Sequence, residues 1–173
     1  MTRKLAAFAF LIAAAARGQE VDFPADYREW IFLTSGFDMN YSQMPQMTGH
    51  HMLDNVFVES WAYKAFLETG RWPEKTRLMK EGRRAESKGS INRGGQFQST
   101  EIMVLEMHVK DSNLPGGWGF VEFDDDKKPA AILPHDTGCY SCHEQHGGVD
   151  TTFVQFYPTL LPVAQAKGTL KGP

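Results

Sequence analysis

The only two cysteines of the chain stand two residues apart, with a histidine directly after them: Cys139-Tyr140-Ser141-Cys142-His143. C-x-x-C-H is the spacing of c-type haem attachment. Each thiol adds to one haem vinyl group, and the adjoining histidine becomes the proximal ligand of the iron. Three other readings use the same residues. A zinc ion would recruit both thiols with His135 or His146. A redox-active pair would want a βαβ setting, which the sequence does not display. The third is chance. A purely structural disulfide has little motive, because so short a loop barely constrains the unfolded chain.

The opposite side of the iron is constrained by chain order. All eight methionines precede Cys139, the last being Met107. The electron-carrier arrangement, an early haem motif followed by a methionine ligand, is therefore absent. His146 lies too near His143 to reach the other haem face. His50, His51, His108 and His135 remain as sixth ligands to be tested, although isolated histidines more often serve in cores or on surfaces. An open iron position is the leading expectation, and open iron means ligand chemistry in place of simple electron relay. Four-helix cytochromes c′ share a late motif and open iron, but the alternation at Glu101 to Lys110 argues against a bundle.

Elements that would carry these residues can be read from periodicity. Phe23 to Trp30 suggests a short helix with Pro24 near its first turn, and Ile31 to Thr34 is extended. Gly36 to Gly49 reads as a long loop. Val56 to Val58 resembles a short strand. Ser60 would cap a helix over Trp61 to Thr69, closed by Gly70, with Trp61, Ala65 and Phe66 on one face. Thr76 to Glu81 is expected as a strand, and Gly89 to Gly95 as a turn-rich connection. Met103, Leu105, Met107 and Val109 share one face of a strand over Glu101 to Lys110. Gly116-Gly117 is a turn before a strand at Trp118 to Phe123, and Asp124 to Lys128 reads as a solvated hairpin tip. Strands with short intervening helices predict an antiparallel sheet.

Apolar residues make up 42% and aromatics 12% of the 173 residues, enough for a core and a cofactor wall. The formal charge of −3 excludes a basic footprint for nucleic acid. Arg3 and Lys4 precede an apolar run from Leu5 to Ala16, with small residues Ala14 and Ala16 before cleavage near Arg17 to Gln19. That run is shorter than the ~20 apolar residues a bilayer requires. Residues 1–18 are thus expected to be a signal peptide and residues 19–173 one haem domain, exported to the periplasm, where c-type maturation occurs.

Ordered motifs then extend along the chain: Tyr27-Arg28-Glu29-Trp30, Asn55-Val56-Phe57-Val58, Tyr63 to Gly70, Leu105 to Asp111, Pro115-Gly116-Gly117-Trp118, Cys139 to His143, and Asp150 to Pro158. In these the chain resembles the cytochrome P-460 family and its relative, cytochrome c′-beta. The resemblance implies an α+β, mainly β fold, with an antiparallel sheet and short helices packing one c-type haem, usually as a homodimer. It implies hydroxylamine oxidation, to nitrous oxide or nitric oxide, at a five-coordinate iron, with electrons passed to a soluble acceptor such as another cytochrome. It also implies a lysine bonded to the haem ring. Counted from Gly70, that lysine matches Lys80. Without the bond, a gas-binding protein for nitric oxide becomes the reading, and a sixth protein ligand would make an electron carrier. Glu106 matches a family glutamate and is the candidate distal base, although it shares a strand face with His108 and Lys110 as a solvated residue would. Phe97, Phe120 and Phe153 are candidate pocket walls, or plain core.

Overall fold

The computed structural model describes residues 19–39 and 51–172. The expected signal peptide, His50 and residues 40–49 of the expected loop lie outside the described residues. In chain order the strands and helices are Glu20–Val21 (β1), Ile31–Phe37 (β2), Met52–Val58 (β3), Ser60–Thr69 (α1), Arg77–Glu86 (β4), Phe97–Lys110 (β5), Trp118–Glu122 (β6), Ala130–Ala131 (β7), Gly138–His146 (α2) and Leu161–Ala166 (α3). Five strands form one antiparallel sheet in the order β2-β3-β4-β5-β6, and β1 pairs with β7 as a small ribbon. The fold is α+β and mainly β, as the strand patterns predict.

Pleating divides the sheet into two faces with different work. One face carries Phe57, Met79, Leu105, Met107, Val109 and Val121, which pack with Tyr27 and the partly buried Phe23 and Trp30. Glu81 is fully buried on this side, where it accepts hydrogen bonds from Tyr27, Arg28 and Arg83. The other face carries Val58 and Leu78 at one end, with Trp118 close by. These join Ala62 and Phe66 of α1, Trp72, and Leu160 and Ala164 near the carboxyl end in a second core. Farther along that face a cavity opens between the sheet and α2.

Several local expectations shift by a residue or more. The segment after Pro24 forms only a 3-10 turn at Tyr27–Glu29. Ser60 is the first helical residue of α1, with Glu59 at the cap position, and neither end of the expectation depends on a side-chain cap bond. Gly70 closes α1 at φ 70°, a left-handed conformation that suits glycine. Ala62 and Phe66 are the buried stripe of α1, whereas Trp61 is 45% exposed. β5 begins earlier than expected, and register shifts near Gly82 and Arg83 turn Met103 outward while Leu105, Met107 and Val109 stay buried. Asp124 to Lys127 makes an exposed turn, but no hairpin follows it, since β7 pairs with β1.

Candidate haem site

α2 holds the C-x-x-C-H residues against the sheet. Tyr140, between the cysteines, is buried; its hydroxyl donates to the Leu133 carbonyl at 3.0 Å, and its ring meets Phe120 of β6 edge-on at 4.8 Å. This anchor fixes the helix so that Cys139, Cys142 and His143 all line the cavity. Both thiols are free. The cavity measures about 380 Å³, within the ~300–1,000 Å³ usual for small-molecule and cofactor sites. Its wall is largely apolar, with Val56, Leu78, Phe120, Leu133, Phe153 and Phe156 contributing.

Among the described residues, His143 has one of its ring nitrogens engaged by the protein. Nδ1 lies 2.7 Å from the Thr151 carbonyl oxygen, a bond in which Nδ1–H donates. That fixes the tautomer and leaves Nε2 as the ring's remaining metal-binding atom. Burial lowers the His143 pKa, and the Thr151 carbonyl opposes that in part. The neutral, ligand-competent imidazole is thus favoured. Gly147 makes the local turn feasible: a Cβ there would stand 2.7 Å from the His143 carbonyl oxygen and 2.8 Å from the Thr151 carbonyl carbon.

The free thiol pair, an imidazole with one nitrogen available and the apolar walled cavity beside them fit a covalently held haem. A zinc site fits less well. Among the described residues, no group of three or more His, Cys, Asp or Glu side chains is arranged to hold a metal ion. His135 lies 3.5 Å from Glu144 and packs on Tyr140, while His146 is exposed.

The Cytochrome P460 family model matches residues 24–154. This chain belongs to the cytochrome P460 family. The family implies a c-type haem cofactor, in agreement with the donor set just described. No match is found among curated proteins.

Within this P460 domain, Lys80 and Glu106 line the same cavity as the haem motif. They are directly opposed across β4 and β5, with Lys80 Nζ donating to Glu106 Oε2 at 2.8 Å. A third polar side chain, which sequence reasoning missed, is Asp54 on β3. Its Oδ1 is buried, has no hydrogen-bond partner among the described residues, and stands 3.4 Å from Lys80 Nζ. Burial raises the Asp54 pKa against the opposing charge of Lys80. Burial would lower that of Lys80, but Glu106 and Asp54 outweigh it and hold the ammonium above the ordinary lysine value. The available signal was Asp54 interrupting the apolar alternation Met52, Val56, Val58.

Other expectations separate here. Phe120 and Phe153 do wall the cavity, but Phe97 does not; it sits at the start of β5, 39% exposed and beside Gly89. His108 lines the cavity yet has its Nε2 3.1 Å from Thr151 Oγ1, and its ring stacks on Phe120 at 4.1 Å. It sits edge-on to His143 at 5.0 Å, an arrangement that does not place the two rings on opposite faces of one iron. His51 pairs with Asp38 at 2.5 Å and stacks on Phe37. Met39 and Met52 also line the cavity, so chain order alone did not keep methionine away from the site.

Proposed function

We propose that this protein is a periplasmic mono-haem c-type cytochrome that binds and oxidises hydroxylamine, to nitrous oxide or nitric oxide, at a five-coordinate haem iron. Cys139 and Cys142 hold the haem by thioether bonds and His143 Nε2 is the proximal ligand. The observation that carries the reading is the position of Lys80: its amine lies in the cavity, partly buried and paired with Glu106, where the family's ring-bonded lysine is expected. When bound, the haem supplies an iron with one position open to the substrate nitrogen and a sink for its electrons.

The protein's own residues supply orientation and proton handling. Glu106 is the distal base: a carboxylate at the cavity wall, able to take protons released as hydroxylamine loses electrons. Lys80, bonded to the ring, perturbs its electronics. The apolar wall built by Val56, Phe120 and Phe153 limits water near the reacting nitrogen. Electrons leave to a soluble acceptor such as another cytochrome. The leader over residues 1–18 supports export, and a homodimer follows the family pattern.

The same apolar wall favours a second reading, a non-enzymatic protein that captures nitric oxide. In that case Lys80 remains a free ammonium held by Glu106 and Asp54. Intact mass and visible spectra of protein matured with haem decide between them. A lysine-modified haem gives a red-shifted, broadened ferrous Soret band and turnover of hydroxylamine. An ordinary ferrous spectrum with ready nitric oxide binding supports the gas binder, and a low-spin six-coordinate spectrum would mark an electron carrier.

A further inference from the structure

The Thr151 carbonyl that accepts the His143 Nδ1 proton belongs to a short irregular loop, so its direction depends on what holds that loop. Within it, Val149 and Thr152 form an isolated antiparallel bridge. On the sheet side, two successive inward-facing residues of β5 grip two successive loop residues. His108 Nε2 lies 3.1 Å from Thr151 Oγ1, and Lys110 Nζ donates to Asp150 Oδ2 at 3.0 Å and to the Trp72 carbonyl at 2.8 Å. His108 is itself immobilised, with Phe120 stacked on it at 4.1 Å and Trp118 tilted against it at 4.4 Å. Thr151 and His108 are both buried, so neither hydrogen-bonding group has water as an easy substitute.

We propose that His108 is a positioning residue for the proximal ligand: through the Thr151 hydroxyl it fixes the carbonyl that orients the His143 imidazole. The proposal rests on the reading of His143 as haem ligand. Partners in the outer shell of a metal-bound histidine set ring orientation and raise ligand basicity. Here that influence runs from the sheet to the ligand through two hydrogen bonds, His108 to Thr151 and Thr151 to His143. Nε2 of the His108 imidazole completes the bonding of the Thr151 hydroxyl.

The test uses haem-loaded protein carrying His108→Phe or His108→Gln. Phenylalanine keeps the aromatic stack and deletes the bond, while glutamine restores a polar end group. The readouts are the iron–histidine stretching band of the ferrous protein by resonance Raman and the midpoint potential. His108→Phe is expected to shift the band to lower frequency and raise the potential, because a loosened Nδ1 bond makes the imidazole a weaker donor; His108→Gln should return both toward wild type. If His108→Phe fails to fold, Thr151→Val deletes the same link and retains the carbonyl. A band and potential unchanged in whichever of these variants folds overturns the proposal. A wild-type ferrous protein with no iron–histidine band removes the ligand reading itself, which is a separate failure.

Discussion

Lys80 and Glu106 occupy directly opposed positions on neighbouring antiparallel strands, with their charged ends 2.8 Å apart inside the cavity that receives the C-x-x-C-H residues. Strand geometry enforces this meeting. Side chains opposite one another in an antiparallel pair share a face, and a slip of one residue would send Lys80 to the side where Met79 and Glu81 are buried. The neighbouring residue Glu81 already has three partners on that far side. The register is therefore held from both faces of β4.

Lys80→Leu should abolish both the anomalous ferrous spectrum and hydroxylamine turnover while leaving the haem covalently attached through Cys139 and Cys142. Intact mass reports the attachment, and the visible spectrum reports the ring. Retention of the anomalous band and of turnover in this variant would end the enzyme reading.

Removing the thiols tests attachment independently. Cys139→Ala/Cys142→Ala should carry no thioether-bound haem, so that any haem surviving denaturation is held through Lys80 alone, whereas each single substitution should leave one thioether bond. Denaturing mass spectrometry separates these species. Covalent haem persisting in the double variant through a Lys80 bond alone would support the cross-link and refute the thiols as the sole tether.

Asp54 gives a pH-dependent prediction. Its folded pKa is raised, so its stabilising contribution is complete below the unfolded aspartate value of about 3.9 and is lost as pH rises through the higher folded value. Wild-type stability relative to Asp54→Asn should therefore fall as pH rises through that window. Urea denaturation of both proteins at stepped pH measures the difference. A pH-independent gap would mean that the Asp54 carboxyl is not desolvated as its buried Oδ1 indicates.

Much of this arrangement was legible from the residues. The alternation marked the later part of β5, where Leu105, Met107 and Val109 are buried as expected, because a half-buried strand must sort apolar and polar side chains by parity. Parity could not say what lay on the second face. Glu106, His108 and Lys110 look like a solvated edge in sequence, yet His108 is buried and Glu106 lines a cavity, because the segment Gly138 to Tyr157 folds back over that face. Asp54 stayed hidden for the same reason: its importance comes from Lys80 on the next strand, and cross-strand register is a long-range property. Phe97 was misplaced because β5 extends beyond the cavity, where its ring lies beside Gly89. Trp61 failed as a core residue because a one-position shift along a helix turns a side chain by about 100°.

The buried carboxylate of Glu81 provides the final prediction, one of stability and not of chemistry. Burial alone would raise its pKa, but hydrogen bonds from Arg83 and Tyr27 and the charges of Arg28 and Arg83 prevail and hold it below the usual carboxylate range. A lowered folded value contributes stability above the unfolded glutamate pKa of about 4.3, and that contribution disappears as pH falls through the folded value. Glu81→Gln should cost about 3 kcal/mol near neutral pH, the low end for breaking a buried ion pair from one side. The gap between wild type and variant should then narrow as pH falls below about 4.3 and close only once pH is below the lowered folded value, where both proteins carry a neutral group. Since Glu81 points away from the cavity, the haem spectrum of Glu81→Gln should match wild type wherever the protein is folded. Denaturant titrations across the acid range provide the measurement, and a gap that stays constant with pH would show that the Arg28 and Arg83 pairing does not stabilise this end of the sheet.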